Sequence, residues 1–382
     1  MIKYCSNCLL PSTKPDLRFD NNGTCSACAA YQNRAKVDWA ERESDFRSIV
    51  SKHKSMSNSK WDCIIPVSGG KDSTVQVLKI LELGLNPLCV TSTTCDLSPI
   101  GRRNIENIKN LGVDYVEFTA NPQVRKKLNR IGLELVGDIA WPEHVGIFTI
   151  PVRAAVDFRI PLIIWGENSQ NEYGGPASAQ GSPYLNRRWL EEFGGMLGLR
   201  VSDLHENHGI VEKDLILYTY PTDEDLAEIG VTGLFLGHYF PWDGLNNYLL
   251  AQANGFESFG SVIEGSMVDY ENIDNFQHGI HDYFKFLKFG FGRATDIASI
   301  HIRRGRISRD QAVKIIKSND GKYPWSYLGK PLEEILNKIQ VTKEEFDSIC
   351  DRFTSKELFL TDKDGNLIRD DSNSLIKVNY DN

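Results

Sequence analysis

The stretch PVSGGKDS at residues 66–73 decides the fold of this 382-residue chain. An apolar run at 61–67 predicts a strand before it, and the pattern of 73–83 predicts a helix after it. The two glycines let backbone N–H groups turn around an anion, and the helix start adds the positive end of its dipole. A Walker A loop would need glycine where the chain has Ile65. The stretch therefore predicts a phosphate-binding loop of another class.

Strand-like and helix-like runs alternate after this loop. Strands are predicted at 86–93, 115–119, 161–165, 215–219 and 232–238, with a helix at 100–111 and a long helical stretch before 161. Strands separated by helices imply parallel βαβ units, so the fold class is predicted as α/β with a parallel sheet. Ligands of such sheets bind outside the carboxyl ends of the strands, which is where the loop at 66–73 lies.

Length and composition are those of a globular protein of two or three domains. The formal net charge of -8 argues against a general nucleic-acid binder. No apolar run reaches the ~18–20 residues of a membrane span, and the first residues do not resemble a signal peptide, so a cytoplasmic location without a membrane partner is expected. A polar linker near residue 55 and a mostly helical pattern after 265 predict three parts, 1–54, 55–265 and 266–382.

Four of the eight cysteines lie within the first 28 residues, at Cys5, Cys8, Cys25 and Cys28. Each C-x2-C turn presents two sulfurs to one ion, and four thiolates fill the tetrahedron that Zn²⁺ prefers. Such a site leaves no open position for catalysis, so it indicates a folding or docking module. An iron–sulfur cluster and unrelated thiols are the alternatives.

Two further polar stretches follow predicted strands. Thr93 ends the second strand and suits a contact to adenine or ribose, with a plain polar loop as the alternative. The stretch WGENSQNEYGG at 165–175 follows the strand at 161–165. Its candidate substrate-binding residues are Glu167, Asn168, Glu172 and Tyr173, and its carboxylates could also hold Mg²⁺. An exposed loop is the other interpretation.

A basic segment at 285–309 contains seven Lys or Arg residues and one acid, Asp296, in a chain that is acidic overall. Aromatic residues alternate with the cations in its first part, KFLKFGFGR. Guanidinium groups bind phosphate bidentately and aromatic rings stack on bases, so the segment indicates a nucleotide or a phosphorylated substrate. A solvated helix face with core phenylalanines is the alternative.

The loop SGGKDS resembles that of the PP-loop ATP pyrophosphatases, which cleave ATP between its α- and β-phosphates. Together with the four cysteines, WGEN…EYGG and KFGFGRAT, it is similar to the N-acetyl sugar amidotransferase branch of that superfamily. The resemblance runs from Cys5 to about Arg309. It implies a PP-loop parallel sheet, a role in lipopolysaccharide biosynthesis, and conversion of an acetamido group on a bacterial surface sugar, nucleotide-linked or free, to an acetamidino group.

The resemblance also implies roles for individual residues. The cofactors would be ATP, Mg²⁺ and Zn²⁺. The pyrophosphate end of ATP would be held by Ser68, Gly69, Gly70, Lys71, Asp72 and Ser73, with Asp72 helping to place Mg²⁺. Lys71, Asp72 and Arg293 are the candidate catalytic residues, and Lys288 and Arg293 would bind the anionic part of the sugar or the α-phosphate.

Ammonia has no visible source within the chain. Residue 2 is Ile2, which excludes an N-terminal cysteine nucleophile, and no Cys lies in a Gly-x-Cys-x-Gly elbow. The resemblance therefore implies a partner glutaminase and a channel-forming, synthase-like subunit.

Two other functions stay open at this point. A tRNA-thiolating PP-loop enzyme is the main alternative, because several of those also carry four-cysteine zinc modules, and Cys95 keeps that reading open. A non-enzymatic zinc-ribbon scaffold would leave SGGKDS without a purpose.

Overall fold

A computed structural model describes residues 2–176, 181–185, 187 and 194–378. Its centre is a six-stranded sheet with the order β3-β2-β1-β4-β6-β5. The strands are β1 Cys63–Pro66, β2 Pro87–Ser92, β3 Asp114–Phe118, β4 Leu162–Trp165, β5 Tyr184–Leu185 and β6 Thr232–Phe235. All neighbouring strands are parallel except β5, which runs antiparallel to β6. The predicted α/β fold class is confirmed.

Helices cover both faces of the sheet. On one face Ile65 packs with Val77 of the helix that follows the loop, and on the other Ile64 packs with Ile150. Because successive side chains of a strand point to opposite faces, the continuous apolar run of β1 suits a strand buried on both sides.

Sixteen helices lie among the described residues. They span Ser26–Arg34, Trp39–Met56, Lys71–Glu82, Pro99–Asn110, Pro122–Val136, Trp141–Asp157, Ser169–Tyr173, Val201–His208, Asp223–Ile229, Leu236–Tyr239, Gly244–Ala253, His278–Phe289, Arg293–Arg303, Arg309–Asn319, Leu332–Asn337 and Lys343–Phe353.

One predicted strand is wrong. Residues 215–219 lie in a 3₁₀ helix, Glu212–Tyr218, in which Leu215 and Tyr218 are buried against Trp141. Side chains three residues apart share one side of a 3₁₀ helix, so an apolar run of this length can cover a helix instead of pairing in a sheet. The strand predicted at 232–238 ends early, because Leu236–Tyr239 is helical.

The C-terminal part is mostly helical, with one short antiparallel pair, β7 Ser326–Tyr327 and β8 Lys330–Pro331. Its apolar core, built around Phe284, Leu336 and Phe346, also contains Ile100, Leu133 and Ala251 from the region before 265. The packing therefore continues across the predicted boundary at 265.

Within the described ranges, no helix combines the length and the apolar character that crossing a membrane requires.

Candidate functional site

The loop between β1 and the helix Lys71–Glu82 closes on itself through hydroxyl groups. The Ser68 N–H donates to Ser73 Oγ at 3.1 Å, and the Gly70 N–H donates to Ser68 Oγ at 3.4 Å. Gly69 has φ +89°, and a Cβ there would lie 3.0 Å from the backbone nitrogen of Ile105. Glycine is required at this position because the backbone is left-handed and space is lacking. The loop can thus present the start of a helix to an anion.

Lys71 and Asp72 form the charged end of this loop. Lys71 Nζ lies 2.6 Å from Asp72 Oδ2 and 3.2 Å from Glu271 Oε1. Asp72 Oδ1 also accepts a hydrogen bond from the Asn247 side chain at 2.8 Å. Burial alone lowers the pKa of an ammonium group, but Asp72, Glu271 and Glu167 hold the pKa of Lys71 well above its ordinary value. Lys71 therefore stays charged.

Glu167 follows β4, and its surroundings shift its pKa into the physiological range. Burial, and next the charge of Asp72, raise the pKa of Glu167 to about 8, against the opposing effect of Lys71. The indole of Trp242 donates to Glu167 Oε2 at 2.8 Å. Two carboxylates that repel each other in a partly dry site bind a divalent cation well, because the cation relieves the repulsion.

Two pockets meet at Asp72 and Glu167. The larger, of about 250 Å³, is lined by Ser68, Ser73 and Thr93 together with apolar residues at the strand ends. The smaller, of about 40 Å³, is lined mainly by polar groups, which include Lys71, Glu172, Tyr173, Tyr270, Glu271, His301 and Arg306. We call the first the strand-end pocket and the second the inner chamber. A molecule in one would meet a molecule in the other at the two carboxylates.

A buried ion pair that the sequence did not reveal adjoins the strand-end pocket through Glu143. Arg125 Nη1 donates to the carbonyl of Thr93 at 2.7 Å and lies 3.2 Å from Glu143 Oε1. Glu143 in turn accepts from the Cys95 N–H at 3.2 Å. This buried ion pair fixes the loop after β2, in which Thr93 lines the pocket.

The stretch after β4 lies between the loop and the four-cysteine module. Asn168 starts the helix Ser169–Tyr173 by accepting from the Gln170 N–H, so it has a structural task beside its predicted one. Glu172 lies 2.5 Å from Arg34 and 3.5 Å from Arg304. Glu167, Glu172 and Tyr173 all line the inner chamber, whereas Asn168 lines neither pocket.

The four predicted metal ligands come together. The sulfurs of Cys5, Cys8, Cys25 and Cys28 are buried and lie within 4.8 Å of one another. Backbone N–H groups of Cys8 and Cys25 donate to the Cys5 sulfur, and Arg303 donates to the Cys8 sulfur at 3.8 Å. Donors around a dense thiol cluster suit the excess negative charge of four thiolates on one Zn²⁺, so this donor set fits zinc.

The module packs directly against the stretch after β4. Ser26 Oγ donates to the carbonyl of Gly174 at 3.1 Å, and a Cβ at Gly174 would lie 2.9 Å from the Ala27 nitrogen. Arg303 joins both regions, because its second amino group donates to the carbonyl of Glu172 at 2.7 Å. The four-cysteine module therefore supports one wall of the inner chamber.

The basic segment at 285–309 does not form a free cationic surface. Six of its seven cations already contact carboxylates or carbonyls of the chain, five of them outside the segment. These are Lys285 with Asp296, Lys288 with the carbonyl of Val136, Arg293 with Asp282, Arg303 with the carbonyl of Glu172, and Arg304 and Arg306 with Asp243. The segment that the sequence predicts to bind an anion therefore mostly forms contacts within the protein.

Two predicted substrate residues lie outside both pockets. Lys288 donates to the carbonyls of Val136 and Gly137, at the end of the helix Pro122–Val136, and is not brought to the loop. Arg293 lines a separate cavity in the C-terminal part. Burial lowers the pKa of Arg293, but Asp282 and then Tyr173 raise it well above its ordinary value.

Several site residues were missed by sequence reasoning. Trp242, Asn247, Tyr270 and Glu271 line or support the site from the segment before 278, where no motif marks them. A buried group of Asp138, His144 and His281 was also missed, with His281 Nδ1 2.8 Å and His144 Nδ1 3.1 Å from the carboxylate. Burial raises the pKa of Asp138, yet the two histidines hold it well below its ordinary value.

Comparison with known proteins finds a similarity in the C-terminal part. Residues 256–370 match the family described as LPS biosynthesis protein WbpG-like, C-terminal domain. No curated protein matches the chain.

Two solved structures are similar to about half of the chain. NMN synthetase from Francisella tularensis shows 16% identity and a TM-score of 0.27, covering 50% of this chain and 91% of its own. A predicted subunit of tRNA methyltransferase from Methanocaldococcus jannaschii shows 16% identity and a TM-score of 0.20, covering 47% and 93%. At these identities and TM-scores, neither structure assigns a function to this chain.

Proposed function

We propose that this protein is an ATP-dependent amidotransferase that converts the acetamido group of a bacterial surface sugar to an acetamidino group. The observation that carries the proposal is the meeting of two pockets at Asp72 and Glu167, beside a phosphate-binding loop of the SGGKDS type. The match of residues 256–370 to a family of LPS biosynthesis proteins supports a surface sugar as the substrate class.

ATP fits the strand-end pocket by its residue types. Ser68, Gly69, Gly70 and Ser73 would hold the pyrophosphate end through hydroxyl and backbone N–H groups. The apolar wall near Ile147 and the loop at Thr93 would take the adenine and ribose. Asp72 and Glu167 would hold Mg²⁺, which when bound neutralises phosphate charge. Lys71, fixed between Asp72 and Glu271, would add positive charge at the same junction.

The proposed reaction requires activation of a poor electrophile. The acetamido oxygen attacks the α-phosphorus of ATP and pyrophosphate departs, which leaves an O-adenylyl imidate. Ammonia then adds to the imidate carbon, a proton is lost, and AMP departs with the former amide oxygen. The protein mainly aligns the reactants and stabilises the developing charge, so charged and hydrogen-bonding side chains matter more than a nucleophile.

Zinc and partner subunits complete the proposal. Zn²⁺ on the four cysteines would be structural, because four thiolates leave no open coordination position. Ammonia would come from a glutaminase subunit through a channel-forming subunit, since the sequence contains no glutaminase nucleophile of its own.

The tRNA-thiolating alternative would need a surface that binds RNA. RNA binding relies on cations that are available to phosphates, whereas six of the seven cations at 285–309 already contact carboxylates or carbonyls of this chain. Burial raises the pKa of the Cys95 thiol to about 11, so this cysteine is a poor nucleophile at neutral pH.

The test combines protein, Mg²⁺, ATP and ammonium with UDP-N-acetylglucosamine or N-acetylneuraminate, followed by mass spectrometry and nucleotide analysis. We expect a sugar product about 1 Da lighter, since NH replaces O, together with AMP and pyrophosphate. Glutamine should not replace ammonium for this chain alone. Sugar-dependent formation of ADP and phosphate would contradict the proposal.

Two variants of one helix control the experiment. Asp72→Asn removes a carboxylate at the junction and should lower turnover by roughly 100- to 1000-fold, the range for one charge-stabilising group in a preorganised site. Glu82→Gln changes an exposed acid at the other end of the same helix, where it pairs with Lys79, and should leave turnover unchanged. Equal activity of both variants would remove Asp72 from the mechanism.

A further inference from the structure

A third cavity, of about 380 Å³, lies in the C-terminal part. All of its lining residues fall between Val262 and Tyr327, inside the segment 256–370 that matches the WbpG-like domain. It shares no lining residue with the strand-end pocket or the inner chamber. The WbpG-like segment therefore builds a cavity of its own, which the nucleotide does not need.

Aromatic rings form one side of this cavity. Trp325 is 51% exposed although it lines the cavity, and its ring lies 4.7 Å from that of Tyr323. Tyr327 also lines the cavity and packs so closely against Gly279 that a Cβ there would lie 2.6 Å from its ring. An exposed aromatic face beside a fixed one is the surface on which the C–H groups of a sugar ring pack.

The charged groups of the cavity differ in whether they contact partners within the protein. Arg293 is paired with Asp282 at 3.1 Å, and Glu264 accepts hydrogen bonds from Ser326 Oγ and the Leu328 N–H. Lys322, on the rim, is exposed and forms no salt bridge within the ranges that the structure describes. Lys322 is therefore the cation that is available to an anionic group of a ligand.

The cavity and the inner chamber share a wall. Arg293 begins the helix Arg293–Arg303 and lines the cavity, whereas Ile297 and Ile300 of the same helix line the inner chamber. Four residues of a helix correspond to about 6 Å along its axis. A second link is Asn272, whose side chain donates to Asp282 at 3.2 Å and which follows Glu271 of the inner chamber.

We propose that this cavity is the binding site for an acetamido sugar that carries an anionic group. The sugar ring would pack on Trp325, and its carboxylate or phosphate would pair with Lys322. The acetamido end would point past Arg293 toward the inner chamber, which meets the proposed ATP pocket at Asp72 and Glu167. The inference rests on the proposed function for the identity of the sugar, but the site itself is testable without turnover.

Binding is measured by saturation-transfer NMR and calorimetry, without ATP, on the full chain. The probes are N-acetylneuraminate, which carries a carboxylate, and UDP-N-acetylglucosamine, which carries a diphosphate. The probe that binds more tightly identifies the source of the anionic group. Failure of both probes to bind at millimolar concentration would overturn the inference.

Three variants locate the site. Lys322→Ala should weaken the bound probe about 10- to 100-fold, the range for one charge-assisted contact. Trp325→Ala should weaken it similarly, and Trp325→Phe, which keeps an aromatic face but loses the hydrogen bond to the Ser372 carbonyl, should recover part of the loss. Lys314→Ala changes an exposed lysine of the neighbouring helix and should have no effect. Unchanged probe affinity in Lys322→Ala and Trp325→Ala would place the sugar elsewhere.

The two proposals fail in different ways. If the wild-type protein makes the lighter product but the cavity variants leave the sugar KM unchanged, the cavity assignment is wrong and the function stands. If both probes bind in a cavity-dependent manner but no lighter product forms, the function is wrong and the site stands.

Discussion

The loop at 68–73 and the basic segment at 285–309 both looked like anion-binding elements, yet the structure uses them differently. In the loop, Ser68, Asp72 and Ser73 line the strand-end pocket. In the basic segment, the cations mostly contact carboxylates and carbonyls of distant residues, as Arg303 contacts the carbonyl of Glu172 and Arg306 contacts Asp243.

The difference shows what a local motif can reveal and what a charge count cannot. A strand, a glycine turn and a helix are neighbours in sequence, so their geometry follows from the motif itself. The partner of a buried cation can lie anywhere in the chain, so an excess of Lys and Arg does not show whether the charge is free. Three predictions test this distinction.

The largest effect should follow the loss of zinc, because Arg303 of the basic segment contacts both the Cys8 sulfur and the carbonyl of Glu172. Structural zinc sites contribute on the order of 10 kcal/mol to folding of their modules, so Cys8→Ser should unfold the module and abolish turnover. Metal analysis should find one zinc per wild-type chain and little in Cys8→Ser.

Cys95→Ser is the matched control, since Cys95 lies outside the cluster, and it should keep its zinc. A wild-type protein purified without chelators but lacking zinc, or a disulfide between Cys5 and Cys8, would refute the assignment.

A smaller effect should follow the loss of Arg293. Arg293 and Asp282 are only 20% and 12% exposed, so Arg293→Ala leaves a largely buried carboxylate unpaired. Breaking such a pair from one side costs about 3–5 kcal/mol of unfolding free energy, whereas neutralising both partners costs less. Urea denaturation should therefore find Arg293→Ala less stable than the double variant Arg293→Gln with Asp282→Asn.

Additive losses in a double-mutant cycle would show that the pair does not interact. In that case the charge of Arg293 would be free for substrate, as the sequence alone indicated.

The sequence was sufficient for the parts of the site that are contiguous. The two C-x2-C pairs come together, and Ser68, Lys71, Glu167 and Glu172 line the two adjoining pockets, although Asn168 lines neither. It was insufficient for partners that the fold brings together from afar, such as Glu271 beside Lys71. It also misjudged 215–219, because a short apolar run fits a 3₁₀ helix as well as a strand.

The smallest predicted effect is a pH dependence of MgATP binding beside the loop at 68–73. Burial and the charge of Asp72 raise the pKa of Glu167 to about 8, so the free protein holds a proton there at neutral pH. Mg²⁺ binds the carboxylate and not the acid, so binding must release this proton. For a pKa of 8, the ionised fraction rises about tenfold between pH 7 and pH 9. MgATP affinity, measured by calorimetry, should rise by the same factor.

Glu167→Gln separates this carboxylate from other groups that titrate, because its MgATP affinity should be weaker and flat over the same range. The free energy of unfolding should change with pH in the opposite direction to the MgATP affinity. The folded protein keeps a proton that the unfolded chain loses above its ordinary pKa of 4.5, so unfolding free energy without ligand should fall as pH rises toward 8. Wild-type affinity that does not change between pH 7 and pH 9 would show that Glu167 is ionised already and that its charge, like those of the basic segment, is compensated within the protein.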